Sequence, residues 1–186
     1  NILLSLMKYY PMSKLFLLMV TCACGTGLFS QSIKKYPIGD SGCSAYFFCT
    51  TSLFNVSYSD DSSKIYTGDC KATDSLTYGL ICIKLKDKVA DLQQAEDITL
   101  SYLDYLKQSI DISSAAGYGK GHRLEGKENT RGIIDYWKDK TGNDWKIKAW
   151  TDGKFIGVLY VYAKGSLTET NRVNLFLDGF RLPVVE

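Results

Sequence analysis

Histidine is almost missing from this chain: His122 is the one copy in 186 residues. That scarcity excludes histidine-based metal clusters and two-histidine mechanisms. A Ser-His-Asp triad would have to use His122, and the sequence has no G-x-S-x-G elbow to supply the nucleophile. Net charge is scarce too, with 22 Lys+Arg against 20 Asp+Glu and no like-charge block beyond the basic pair Lys34-Lys35. A near-neutral balance leaves no electrostatic footprint for nucleic acid. The apolar run Leu15 to Val20 is too short for a stable membrane span, so no transmembrane span is expected in the mature chain. There is no internal repeat and no linker that would mark a second domain.

What is present suits one globular domain, at 45% hydrophobic and 23% charged residues. The first residues read as targeting. From Met12, a basic Lys14 precedes Leu15 to Val20 and then small residues up to Ser30, the order of a secretory signal peptide. Residues 1–30 are therefore assigned to upstream sequence and signal, with cleavage before Gln31, and residues 31–186 to the exported domain. Two competing readings are a lipoprotein signal acylated at Cys24, which has Ala23 before it but Thr21 where Leu is usual, and a buried N-terminal helix.

The mature chain keeps Cys43, Cys49, Cys70 and Cys82. An even number in an exported chain points to disulfides, and none has the C-x-x-C spacing of a zinc or redox site. Cys70 with Cys82 flanks a turn-rich stretch between neighbouring strands. Cys43 with Cys49 then needs a turn, since six extended residues span about 20 Å and a disulfide needs Cα atoms within about 7 Å. Pairing of Cys49 with Cys70 stays open.

Two strands fold about Asp152-Gly153. Asp-Gly suits a two-residue type I′ turn, which sets Thr151 against Lys154, Trp150 against Phe155, Ala149 against Ile156 and Trp145 against Tyr160. One face (Trp145, Ile147, Ala149, Ile156, Val158, Tyr160) is apolar. The other mixes Lys146 and Lys148 with Phe155, Leu159 and Val161 and reads as half solvated. Upstream, Ser32 to Thr51 reads as a pinned lead-in. Phe54, Val56 and Tyr58 alternate as a half-buried strand, Lys64 to Cys70 follows, and Leu76 to Leu85, apolar on both faces, is central.

Between Asp87 and Ile112 the period changes. Leu92, Ala95, Thr99, Tyr102, Leu103, Leu106 and Ile110 share one helical face, with Glu96 and Lys107 among the polar residues away from it. Ser113 to Lys127 is glycine-punctuated, and Gly132 to Lys138 is a strand. Ser166 to Glu169 has capping-box spacing ahead of a short helix carrying Val173, Phe176 and Leu177. Phe180 to Val184 closes the chain as a strand. The fold class is α+β: an antiparallel sheet of about six to seven strands packed by one long helix and one short C-terminal helix.

That element order, with Asn174 to Leu182 (NLFLDGFRL) taking a helix into an aromatic-led strand, resembles the PsbP-like family of exported α/β/α sandwich domains over about residues 54–183. The resemblance rests on the packing positions Phe176, Phe180 and Leu182. It implies a role in partner binding or assembly and brings no catalytic constellation. The four cysteines and the aromatic lead-in are not part of the family's pattern.

Motifs for chemistry fall away in turn. Gly121 to Lys127 matches a phosphate loop up to its lysine, but Glu128 stands where a hydroxyl should hold magnesium. Gly117, Gly119 and Gly121 lack the parallel βαβ unit of a dinucleotide site and read as a strand edge or a loop that closes on a ligand. No spacing selects a glycosidase-like carboxylate pair. Asn55-Val56-Ser57 is a glycosylation sequon within a predicted strand. Thirteen tyrosines and three tryptophans suit a recognition surface. Trp150 and Phe155 form the expected platform, extended by Trp137 and Tyr136, with His122 as a further ligand contact. No cofactor and no metal are implied. The expectation is an exported, non-catalytic domain that binds a protein partner or small ligand. The alternative is a carbohydrate-processing or other carboxylate-dependent hydrolase.

Overall fold

Helix α1 (Leu92–Ser109) lies on one face of a sheet that a second layer covers on the other. The computed structural model describes residues 33–124, 126–168 and 170–183; the signal-peptide reading, including Cys24, falls outside them. In chain order the elements are β1 (Lys34–Pro37), β2 (Ser44–Phe47), β3 (Asn55–Tyr58), β4 (Lys64–Thr73), β5 (Leu76–Lys84), α1, β6 (Ile112–Ala115), β7 (Gly119–Leu124), β8 (Lys127–Asp139), β9 (Asp144–Thr151), β10 (Phe155–Ala163) and α2 (Asn171–Leu177). The main sheet has eight strands in the order β3-β4-β5-β10-β9-β8-β6, with β7 also on β8, and β1 and β2 form a separate two-stranded sheet. All strand pairs are antiparallel. The fold is α+β, with one long and one short C-terminal helix. The strand total exceeds the expectation because the glycine-punctuated stretch, read as a strand edge or a loop, builds two strands, β6 and β7.

The β9–β10 hairpin is present, but its register is slid by two residues. Thr151 pairs with Ile156, Ala149 with Val158 and Trp145 with Tyr162. Only Gly153 of the Asp-Gly pair has positive φ, at 85°, so the turn is not type I′. Asp152 instead accepts hydrogen bonds from the backbone N–H of Lys154 at 2.9 Å and of Phe155 at 2.8 Å, which lengthens the loop. Gly153 is required here for a second reason: a Cβ would stand 2.1 Å from the carbonyl oxygen of Val89. A slip of two preserves which side chains share a face.

The apolar face holds Ile83, Ile133, Ile147, Ala149, Ile156 and Val158 under Leu103 of α1, and Trp145 and Tyr160 keep their rings 5.6 Å apart. Fully burying a side chain such as Leu103 (0% exposed) is favourable by about 1.5–3 kcal/mol. Asp91 caps the helix by accepting from Gln93 N–H at 2.8 Å.

The face expected to be half solvated is a second core. Tyr78, Leu80, Trp150, Leu159 and Val161 pack there against Ile38, Ala45 and Phe47 of the lead-in and against Val173, Phe176, Leu177 and Phe180 of the C-terminal segment. The lysines that suggested solvent run along this apolar surface and place their ammonium groups on α2. Lys146 donates to Asn174 at 3.0 Å and Lys148 pairs with Asp178 at 2.6 Å.

Three local readings are corrected as well. β3 is exposed at all four residues because it is the outermost strand. Helix α2 is capped by Thr170, whose hydroxyl accepts from Val173 N–H at 3.3 Å, not by Ser166. Among the described residues the closing strand is a single bridge, Arg181 with Ser44, and Val184 lies outside them. Among the described residues, no helix is long and apolar enough to cross a membrane.

Candidate functional site

Burial decides the fate of the aromatic platform. Trp150 is 3% exposed and Phe155 is 7% exposed. Their expected pairing is lost with the register, since Trp150 lies opposite Gly157. Trp150 lies flat over Gly132, where a Cβ would come within 2.3 Å of the indole, and its Nε1–H donates to Leu177 O at 3.0 Å. Trp150 therefore ties the sheet to α2, and Phe155 lies in the same buried cluster. Trp137 is also buried, at 4% exposed, while Tyr136, its neighbour on the opposite face of β8, is 42% exposed. His122 is exposed on β7, with its Cβ 2.8 Å from where a Cβ on Gly132 would stand.

The cysteine pairing differs in the same way. Cys49 is bonded to Cys70, with Cα atoms 5.9 Å apart, while Cys43 and Cys82 are buried thiols. The expected Cys70–Cys82 and Cys43–Cys49 bridges are absent. On β5 Cys82 lies in register with Tyr66, four residues from the Tyr78 that faces Cys70.

Of the platform residues, Tyr136 and Trp137 share a concavity. It is an open groove of ≈ 420 Å³ at the β6 edge of the sheet, lined by Ser114, Ala115 and Ala116 together with Tyr136, Trp137 and Trp145. Sequence produces this shape directly. The small residues of β6 pair with Lys138 and Trp137 of β8, and Ala116 N–H donates to Tyr136 O at 2.9 Å. The polar end is an ion pair between Lys138 and Asp144 at 2.9 Å, with Leu167 N–H donating to Asp144 at 3.3 Å. Trp145 is fixed by stacking on Tyr162, ring centroids 4.3 Å apart, and the Lys146 ammonium lies 5.1 Å from the Tyr136 ring centre. Such a groove offers apolar, flat contact with one charged pair at its end.

Three buried carboxylates, Asp135, Asp139 and Glu96, are each engaged by partners inside the fold. Asp135 is fully buried. It accepts from Tyr136 N–H at 2.8 Å and Trp137 Nε1–H at 2.6 Å, and Lys107 reaches it from α1 at 3.2 Å. Lys107 also donates to the Tyr118 hydroxyl at 2.7 Å, and Tyr118 in turn donates to Asp104. Burial opposes the Lys107 charge, but Tyr118 and Asp135 outweigh it and raise the pKa of the ammonium above its usual value. Asp139 organises the β8–β9 turn, accepting from Thr141 N–H and Oγ1–H, from Asn143 and from Trp145 Nε1–H. Burial pushes its pKa up, yet donation by Trp145, Thr141 and Asn143 holds it well below the usual carboxylate range. Glu96 is 5% exposed on α1 and faces Lys120 at 3.6 Å and Arg131 at 3.8 Å. These three carboxylates are arranged as anchors, each with its own partners. Among the described residues no group of His, Cys, Asp and Glu could hold a metal ion.

A second recess of ≈ 260 Å³ lies where the lead-in meets the C-terminal segment, bordered by Lys35, Lys127 and Arg181. Arg181 is held there by its own segment, donating to Phe180 O at 2.8 Å and Asp178 O at 2.7 Å.

Periodicity placed Glu96 and Lys107 on the solvent side of α1, and both are drawn inward by charges on the sheet. The signal for Lys107 was an acidic residue, Asp135, at an inward position of an otherwise apolar strand, which demands a cationic or N–H partner. No protein-family model matches the chain, and no curated protein matches it.

Proposed function

We propose that this chain is an exported, non-catalytic binding or assembly domain, and that it engages a protein partner or small ligand through the groove at Tyr136. The observation that carries this reading is the contrast between the groove and the carboxylates. The groove at the β6 edge presents aromatic and small side chains with one ion pair, while Asp135, Asp139 and Glu96 are already committed to internal partners. A sheet covered on both faces is also what the PsbP-like resemblance implies, and we extend that proposal to the family's partner-binding role. The Cys49–Cys70 bridge supports passage through an oxidising compartment.

The test is a backbone amide NMR titration with a panel of small aromatic ligands, oligosaccharides and short peptides, beside hydrolase reporter substrates. Shifts that saturate and concentrate at Ser114 to Ala116, Tyr136, Lys138 and Leu167 are the expected outcome, with no turnover. Tyr136→Ala should weaken such binding at least tenfold, with a stability change within about 0.5 kcal/mol, as for an exposed residue. Turnover of a reporter substrate that is abolished by substituting a carboxylate would replace the binding reading with the hydrolase.

A further inference from the structure

We propose that Cys43 and Cys82 form a second disulfide when the chain folds in an oxidising compartment, so that the lead-in is cross-linked to the sheet at both ends of β2. Cys82 sits in β5 between Tyr66 of β4 and Gly157 of β10. Both neighbours in that row are roofed. The Tyr66 ring lies 2.8 Å from where a Cβ on Gly39 would stand, and the Phe180 ring lies 2.6 Å from the equivalent point on Gly157. The chain from Gly39 to Ser44 therefore crosses above Cys82, because Ser44 is tied to Arg181, beside Phe180, by paired backbone bonds of 2.9 and 2.8 Å. Cys43 is held on this crossing. Its N–H donates to Ser41 Oγ at 3.0 Å and its carbonyl accepts from Ile38 N–H at 2.9 Å.

The two thiols lie in one buried cluster, at 2% and 0% exposed, and Cys43 is close enough to Cys82 to influence its ionisation. That contact and burial both keep the proton on Cys82. A protonated, enclosed thiol is a poor nucleophile, so the bond forms before the lead-in closes over β5. One cysteine, as thiolate, attacks a disulfide of a glutathione-type or oxidoreductase oxidant and releases one thiol. The second cysteine, losing its proton, then attacks the mixed disulfide and releases the other. Two protein thiols are oxidised, one oxidant disulfide is reduced to two thiols, and protons are conserved. The proposal depends on the exported reading only for where the oxidant is met.

The experiment directs the full chain to a bacterial periplasm and unfolds it without reductant in a thiol-alkylating reagent, followed by peptide mapping. The expected result is no alkylation at Cys43 or Cys82 and a reducible peptide joining them. Cys82→Ala should then expose Cys43 to full alkylation, a change from none to one modified thiol at that position. Full alkylation of Cys43 and Cys82 in the unsubstituted protein overturns the proposal, whatever the state of Cys49 and Cys70. Equal alkylation of Cys43 with and without Cys82→Ala overturns it as well. A bridged Cys49–Cys70 pair in that sample separates failure of this inference from failure to reach an oxidising compartment.

Discussion

Replacing Lys107 by Met should be among the most damaging single changes away from the apolar core. Lys107 is 18% exposed at its side chain and reaches Asp135, which is 0% exposed, across 3.2 Å. Methionine keeps most of the apolar stem but removes the ammonium, which lies 4.0 Å from the Tyr118 ring centre and 5.6 Å from that of Trp137, so the loss is largely electrostatic. Removing one member of a buried ion pair costs about 3–5 kcal/mol, because the other charge stays in the interior without compensation. Asp135 retains two N–H donors, from Tyr136 and Trp137, which places the expected cost near the lower end, about 3 kcal/mol. For a chain of this size that corresponds to a fall in melting temperature of about 6–12 °C. Urea unfolding followed by far-UV circular dichroism measures it. Adding Asp135→Asn to Lys107→Met should recover at least half of the loss, since the amide carries no charge to leave unpaired. A cost below about 1 kcal/mol, the range of exposed pairs, or a double variant no more stable than the single, would refute the assignment of this pair as the anchor between α1 and the sheet.

Trp150→Ala should cost about 3–5 kcal/mol in the same assay, because it empties a buried site and leaves Leu177 O without its donor; a near-neutral result would contradict its place in the core. Replacing both Cys49 and Cys70 by Ala removes a cross-link spanning 21 residues, with an expected loss of about 3 kcal/mol from loop-closure entropy that vanishes when both proteins are compared under reducing conditions. Asp40 gives a pH signature. Hydrogen bonds from Lys64 and Tyr66 hold its pKa down to about 2, so its contribution is complete above the ordinary carboxylate value and drains away as pH falls toward about 2. The stability gap between the native sequence and Asp40→Asn should therefore narrow between pH 5 and pH 2 in acid unfolding curves, and a constant gap would show that the Asp40 carboxylate carries no folding linkage.

Pattern in the chain predicted the sheet, the long helix and the faces of β9 and β10, because periodicity reports which side chains are buried together. It did not report register, since Asp-Gly serves more than one turn and the choice here follows from Asp152 binding the N–H groups of Lys154 and Phe155. Lysines also misled. Lys146 and Lys148 look like solvent markers, yet their length lets apolar stems cross a covered face to α2. For the same reason Trp150 and Phe155 gave the wrong site: a second covering layer built from the lead-in is a tertiary fact that no local window contains. The groove was half legible through Tyr136 and Trp137. The rest of its lining, Ser114 to Ala116, is informative only once β6 is known to lie beside β8. The cysteine pairing depended on the same placement of distant strands.

The position of β10 between β5 and β9 has a consequence for synthesis on the ribosome. Everything up to the end of α1 can emerge while β5 still offers an open, apolar flank, whose closing neighbour runs from Phe155 to Ala163. Sheet closure thus waits for nearly the whole polypeptide, a high contact-order arrangement that slows folding and exposes the nascent chain to self-association. Translation halted before residue 155 should yield insoluble fragments, and release of the last stretch should be the step that commits the molecule to its native topology.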